Sequence, residues 1–388
     1  MPPPADRRDA SLDRQAVIAS AAHSAVFALK NCVLRSSRSG WLGIRLRYSS
    51  TVTAPNVPPI EMRLRRAKSE DRPAIIALCR RSLGWQADDP NEAFFEWKHD
   101  ENPFGQSPTW VAQDESGNLV GLRTFLKWRF HRPDGTTISA VRAVDTATHP
   151  DWQGRGIFSR LTLGALDDLR DDGVDCVFNT PNDKSRPGYL KMGWQQVGKV
   201  PVSVRLTGPG SVRKLAGART AAEMWSEESG VGRPATEVLA DHDRVQDLLN
   251  TIEPAAHIGT DRTPEFLEWR YRFAPLRYRA ISLGTGVEDG LVVFRARRRG
   301  TAIEGTICEV LAPEGASLRK VWKALKGSGI DYLLKGTTPG GRFHVADPRQ
   351  GFVPVPALGP ILTWRPVATS SVPTMEQLAL GLGDIELF

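Results

Sequence analysis

Thr148-His149-Pro150-Asp151-Trp152-Gln153-Gly154-Arg155-Gly156-Ile157-Phe158 is the stretch that decides how this chain is read. Gln153 to Gly156 lies between a strand-like run and a helix-like run. A short loop whose backbone N–H groups converge ahead of a helix N-terminus is an anion site. Glycine at 154 and 156 removes the Cβ atoms that would keep a phosphate away, and Arg155 adds a group that hydrogen-bonds phosphate well. The loop is therefore expected to receive a ligand that carries a pyrophosphate.

The flanks narrow the ligand. Upstream, Ile138 to Thr148 is rich in β-branched and small residues and reads as a buried strand. Downstream, Ile157, Leu161, Ala165 and Leu169 recur at every fourth position, with Phe158 and Leu166 beside them, which predicts a helix with one apolar face. Gly173 suits its end. A second buried strand follows at Cys176-Val177-Phe178, and then Asn182 and Tyr189-Leu190-Lys191-Met192-Gly193-Trp194. In this order the motifs resemble those of the GNAT superfamily of acyl-CoA-dependent N-acyltransferases. Its Gln/Arg-x-x-Gly-x-Gly/Ala loop resembles Gln153 to Phe158, with Phe158 in place of the small last residue. Its later Asn-x6-Tyr-x-x-x-Gly-Phe pattern resembles Asn182, Tyr189 and Gly193, with Trp194 in place of Phe. Either motif alone is common; the pair, with a helix and a strand of the right length between them, is specific.

Other readings of the glycines fail on their chemistry. A dinucleotide fingerprint needs a third glycine where Ser159 stands, and a P-loop needs Ser or Thr where Val200 follows Lys199. Neither His-Glu-x-x-His nor Gly-x-Ser-x-Gly occurs. The 388 residues predict two or three domains. The net charge of +7 is concentrated at the start: residues 1–60 hold eight Lys/Arg against three Asp/Glu, which is +5, and the other 328 residues contribute +2. A nearly neutral body with no basic, aromatic-studded stripe argues against nucleic acid. The run Arg295 to Arg299 reads as a solvated hairpin turn rather than a binding patch. Cys32, Cys79, Cys176 and Cys308 lie far apart, without metal-ligand spacing, and read as free thiols of a reducing compartment, so a cytoplasmic location is expected. No apolar run is long enough to span a membrane. Residues 15–60 lack Asp and Glu but carry seven serines and several arginines. They read either as a transit segment or as an over-extended start before Met62, and in both cases as largely disordered.

The second half of the chain echoes the first. Phe94-Phe95-Glu96-Trp97 aligns with Phe266-Leu267-Glu268-Trp269 at an offset of 172, as does Ser69-Glu70-Asp71-Arg72 with Asp241-His242-Asp243-Arg244. Later the offset is 156, with Gly173-Val174-Asp175 on Gly329-Ile330-Asp331. The second copy is sixteen residues shorter between these points, and the shortening is placed at the phosphate loop. Lys326-Gly327-Ser328-Gly329 is no substitute, because it aligns with a helix C-terminus, where outward carbonyls repel phosphate. The expected organisation is an extension over 1–60, a catalytic α/β GNAT domain with a mixed sheet over 61–206, and a second GNAT-like domain over 207–388 that lacks the pyrophosphate loop.

The resemblance implies a donor of acetyl-CoA or another short acyl-CoA, no metal, and a small-molecule amine as acceptor. It implies that Gln153, Gly154, Arg155, Gly156, Ile157 and Phe158 hold the pyrophosphate, and that the backbone of Thr146, Ala147 and Thr148 pairs with the pantetheine arm. Asn182 would support the cofactor arm or cap a helix. Tyr189 matches the family's proton donor to the departing sulfur. Asp145 is read either as the base that takes the amine proton or as the ion-pair partner of Arg142 or Arg123. Two other readings compete: a tandem-GNAT aminoacyl transferase fed by charged tRNA, which the intact loop and neutral body oppose, and a non-catalytic acyl-CoA sensor, which Tyr189 opposes.

Overall fold

A computed structural model describes residues 62–218, 220–252, 256–341, 350–369 and 371–385. The extension over 1–60 and Cys32 lie outside the described residues. The chain forms two α/β units, each built on a mixed sheet.

The first unit begins with β1 (Arg63–Arg66), α1 (Arg72–Leu83) and α2 (Asn91–His99). The antiparallel strands β2 (Thr109–Gln113), β3 (Leu119–His131) and β4 (Thr137–Thr148) follow. Next come α3 (Ile157–Gly164), α4 (Leu166–Asp171), β5 (Cys176–Asn179), α5 (Arg186–Lys191) and β6 (Gln195–Lys199). The fourfold spacing read in the sequence is the core seam of α3 and α4: Ile157, Leu161, Ala165 and Leu169 are all buried, against Trp110, Phe125, Val141 and Val177 of the sheet. Burying each large member stabilises the fold by about 1.5–3 kcal/mol. Ala165 separates the run into two short helices.

The second unit holds β7 (Val202–Leu206), α6 (Ser211–Gly217), β8 (Arg233–Pro234), α7 (Ala235–Leu239), α8 (His242–Thr251), β9 (Ile258–Thr260) and α9 (Pro264–Tyr271). It continues through β10 (Arg279–Ser282), β11 (Leu291–Arg299), β12 (Ala302–Leu311), α10 (Arg319–Leu325), β13 (Tyr332–Gly336) and β14 (Val353–Pro354). Strand β15 (Ile361–Pro366) then returns to the first unit, and β16 (Leu378–Ala379) with α11 (Leu382–Ile385) completes the second.

Strand order gives the relation between the copies. The first sheet runs β1-β2-β3-β4-β5-β15-β6, and the second, read from its other end, β8-β10-β11-β12-β13-β7-β14. Strand for strand the two orders match; the sixth strand of the first sheet comes from beyond the strands of the second, and the sixth strand of the second comes ahead of its other strands in sequence. The units divide after Gly198, and Pro360–Thr374 belongs with the first. This differs from the expected boundary at 206/207. Val202–Leu206 finds its hydrogen-bond partners on β13 and β14, while β5 is paired by Thr363–Pro366.

The shortening of the second copy also falls elsewhere than expected. Trp97 and Trp269 are 172 apart, the parallel registers place Ala140 opposite Cys176 and Glu304 opposite Tyr332, a separation of 304 − 140 = 164, and Cys176 and Tyr332 are 156 apart. Eight residues are lost at the β3–β4 hairpin and eight between the middle of β4 and β5, most of them from the helix. The connection before that helix is one residue shorter, with 149–156 matched by 312–318. Counted back from the helix starts, Ala316 and Leu318 stand where the first copy has Gly154 and Gly156, and α10 is seven residues long. Lys326 to Gly329 does follow a helix C-terminus, where Ser328 Oγ donates to the Leu325 carbonyl.

The arginine run at 295–299 is strand rather than solvated turn. Arg295 is fully buried beside the Tyr278 ring, and Arg297 and Arg299 share the buried carboxylate of Glu304. Cys79, Cys176 and Cys308 are buried free thiols. Among the described residues, no helix is long and apolar enough to cross a membrane, and no group of His, Cys, Asp or Glu is placed to hold a metal ion.

Candidate active site

Strand β4 opens the site. It pairs in parallel with β5 only from Ala140 to Arg142, whereas it continues to Thr148, so the β5-facing edge of its last third has no strand beside it. On its other edge, Leu122 of β3 faces Ala147 and Thr124 faces Val144, so two residues of β4, Asp145 and Thr146, oppose the single Arg123. This is a β-bulge, which bends a strand and re-aims its groups. Asp145 sits there at φ 42°, in the left-handed region, a conformation that costs a non-glycine residue about 1–2 kcal/mol.

Asp145 is held by α2. Its Oδ2 lies 2.8 Å from Lys98 Nζ and 2.6 Å from His99 Nε2, and His99 Nδ1 is 2.9 Å from Ser107 Oγ. Burial opposes charge on Asp145, but the Lys98 ammonium and the His99 hydrogen bond outweigh it and hold the carboxyl well below the usual carboxylate range. Burial pushes the His99 imidazole below its ordinary value, against the pull of Asp145. The partners are therefore Lys98 and His99, and neither of the arginines expected from the sequence. Arg142 donates to Thr180 Oγ1 at 3.2 Å, and Arg123 turns to Tyr189. The repeat supplies a counterpart. Asp145 plus 164 is Glu309, which accepts from the Tyr271 hydroxyl at 2.9 Å and pairs with Arg262 at 2.9 Å.

The loop after β4 has the conformation the sequence requires. Pro150–Trp152 forms one 3₁₀ turn, Gly154 and Gly156 take φ 77° and 73°, and Gly156 caps α3 without a side-chain acceptor. Among the described residues, the amides of Gly154 through Ser159 donate to no group, and a Cβ built on either glycine meets nothing within 4 Å. Unpartnered amides around open space at a helix N-terminus fit a pyrophosphate. Arg155 stands exposed at the rim, its guanidinium 4.7 Å from the Trp152 ring. Gln153 is exposed, and Ile157 is buried and anchors the helix. His149 accepts from the Asp151 amide and lies 3.3 Å from Arg81.

Tyr189 lies on α5, buried, with its ring edge-on to Phe158 at 5.2 Å and to Trp194 at 5.2 Å. Phe158, the departure from the family loop, fits because position 188 is glycine: a Cβ there would meet the Phe158 ring at 3.1 Å. The short Arg186-Pro187-Gly188 start of α5 thus places Tyr189 against the loop helix. The hydroxyl of Tyr189 accepts from Arg123 Nη1 at 2.8 Å, and the same nitrogen donates to Thr146 Oγ1 at the bulge. Asn182 is committed to structure. Its Oδ1 accepts from the amides of Lys184 at 3.1 Å and Ser185 at 2.9 Å and so caps the turn into α5. The structure brings together Gln153–Phe158, Thr146–Thr148 and Tyr189. It turns Asp145 to α2 and leaves the Asn182 oxygen with the backbone.

Lys98, His99 and Arg123 were not singled out as site residues. Lys98-His99 ends a helix whose other large residues are aromatic and buried, and a polar pair closing such a face was the available signal. No local pattern announces Arg123, because its partner is 66 residues away.

Residues 63–197 match the acetyltransferase (GNAT) domain family, and this segment is a GNAT domain. Solved structures share the fold across both units. A conserved protein from Enterococcus faecalis, described as a probable N-acyltransferase, is similar with TM-score 0.54 and 14% identity over 79% of this chain and 73% of that one. A GCN5-related N-acetyltransferase from Anabaena variabilis is similar with TM-score 0.55 and 14% identity over 80% and 73%. Eis1 from Mycobacterium abscessus is similar with TM-score 0.50 and 15% identity over 79% and 74%. No curated protein sequence matches the chain.

Proposed function

We propose that this protein is an N-acetyltransferase that moves an acetyl or other short acyl group from acyl-CoA to the amine of a small molecule, by direct attack within a ternary complex. The observation that carries the reading is the row of unpartnered amides from Gly154 to Ser159 around glycines with open space, next to a buried tyrosine whose oxygen already accepts a hydrogen bond. The first unit is the catalytic domain of a tandem pair, and the second serves without a pyrophosphate loop.

Attack of a neutral amine on a thioester needs no enzyme nucleophile. The amides of 154–159 would hold the pyrophosphate, and the open edge of β4 over Thr146–Thr148 would receive the pantetheine arm. Binding both substrates in line can supply several kcal/mol of the barrier. As the C–N bond forms and the C–S bond breaks, Tyr189 gives its proton to the departing sulfur. Because Arg123 donates to the phenolic oxygen, the hydroxyl hydrogen is directed elsewhere and is free for transfer. Asp145 is a poor base, since Lys98 stabilises its carboxylate, and its role is to hold the bulge. The amine then loses its proton to solvent.

The test is turnover of acetyl-CoA with a library of amines, followed by release of free thiol. Acyl transfer to at least one primary amine, reduced on the order of a hundredfold in Tyr189→Phe, is the expected result. Tight acyl-CoA binding with no turnover across the library would favour a sensor instead.

A further inference from the structure

The fully buried guanidinium of Arg123 has no carboxylate partner among the described residues, and its Nε and Nη2 find no acceptor. It is packed instead among rings, 4.7 Å from the centre of Phe125, 5.4 Å from Tyr189 and 5.7 Å from Phe158. A buried cation without a counter-ion is costly to the fold, and the rings recover part of that cost. Its Nη1 joins two elements of the site, the Thr146 hydroxyl at the bulge and the Tyr189 hydroxyl on α5. A residue needed only to fill this space would be apolar.

We propose that Arg123 is the positioning residue of the proton-donor step, fixing the Tyr189 hydroxyl against the β4 bulge and stabilising the phenolate that forms there. This rests on the acyltransferase reading above. The step balances as follows: the O–H bond of Tyr189 breaks, an S–H bond forms on the leaving thiol, and water later reprotonates the phenolate. A negative charge appears where the fold keeps an uncompensated positive one, so the interaction is stronger in the transition state than before it.

The test combines Arg123→Met, Arg123→Lys, Tyr189→Phe and the double variant Arg123→Met/Tyr189→Phe. Turnover, KM, CoA affinity by calorimetry and Tm are measured for each. The expected Arg123→Met enzyme loses at least about tenfold in kcat, keeps CoA affinity within about twofold, and melts no lower than wild type, because an apolar side chain replaces an unpaired buried charge. Arg123→Lys recovers part of the loss, and Arg123→Met adds nothing to Tyr189→Phe, because the two act through one proton. Wild-type kcat in Arg123→Met overturns the inference, and so does a defect that multiplies fully with that of Tyr189→Phe. If Met at 123 prevents folding, Arg123→Lys carries the same cycle. A Tyr189→Phe enzyme with wild-type turnover refutes the proton-donor assignment itself, so the two failures are distinguishable.

Discussion

Gly156→Glu tests the pyrophosphate site most directly. Gly156 has φ 73°, and a Cβ there meets nothing within 4 Å. Any side chain at this conformation strains the backbone by about 1–2 kcal/mol, but the strain is present with and without ligand and cancels from the affinity. Gly156→Ala carries the same strain and the steric cost of a Cβ in the phosphate space without a charge: lower Tm and a modest loss of CoA affinity. The glutamate adds a charge in the space the phosphates would occupy. Two unit charges about 5 Å apart repel by roughly 1–3 kcal/mol for an effective dielectric between that of water and that of a protein surface. That is about 5- to 150-fold in Kd, and the penalty should shrink as salt is added. Near the helix N-terminus the free variant is helped by its charge, so a folded protein with weakened binding is expected. Calorimetry with CoA reads the difference between Ala and Glu at 156. Equal affinities for the two variants would remove the loop from the binding site.

Calorimetry on the full chain should also give one CoA per chain, since the loop before α10 offers Ala316 and Leu318 where the first copy has Gly154 and Gly156; a stoichiometry of two would refute the assignment of the second unit. Asp145→Asn should cost about 3–5 kcal/mol of stability, because it leaves the buried Lys98 ammonium without its carboxylate, and the pH dependence of the remaining rate should be unchanged; a rate defect that high pH repairs would restore Asp145 as the base. The folded-state pKa of His99 is lowered, so below about 6.5 the unfolded chain takes up a proton that the folded chain resists. Stability should therefore fall as pH drops from about 7 towards 4, with a slope of at most about 1.4 kcal/mol per pH unit from this group. The lowered carboxyl of Asp145 adds its own loss only below about 4. Urea denaturation of His99→Gln should show a flatter profile than wild type between pH 5 and pH 7, and an identical slope would remove His99 from the account.

What the sequence made legible was local. The glycine loop, its flanking strand and the helix seam depend on spacing within about twenty residues, and turn conformation and apolar period are written at that range. The placement of Tyr189 beside the loop helix follows from the fixed distance of its motif from β5. The ion-pair partners of Asp145 were not legible, because 46 residues separate it from His99 and charge alone does not select among Lys98, Arg123 and Arg142. Asn182 carried two readings that only geometry separates. The exchanged strands were illegible for a different reason. Val202–Leu206 and Ile361–Pro366 are both short β-rich runs beside a proline, and either could complete either sheet; pairing partners are a property of the assembled sheet, not of the strand.

That exchange makes the first unit depend on a strand far from it in sequence. Trp364 of β15 is 2% exposed, its ring 5.8 Å from Phe130 and 6.1 Å from Phe178, beside the Thr363 hydroxyl that donates to Asn179 Oδ1 at 2.7 Å. Arg365 donates to the Met192 carbonyl at the end of α5, three residues after Tyr189. Replacing Trp364 by Ala removes a large side chain from a packed core and should cost about 3–5 kcal/mol. The loss falls on β3 and on β5, the strand that ends beside the open edge of β4, and on β15 itself, whose Arg365 reaches the end of the helix that carries Tyr189. Trp364→Ala should therefore lower both Tm and CoA affinity, although the residue lies more than two hundred positions from the phosphate loop. Trp322→Ala is the control. It is equally buried, but it packs in the second unit beside Phe352, and should lower stability while leaving CoA affinity of the folded protein in place. If Trp322→Ala weakened CoA binding as much as Trp364→Ala, the effect would be general destabilisation, and the specific dependence of the first sheet on β15 would be refuted.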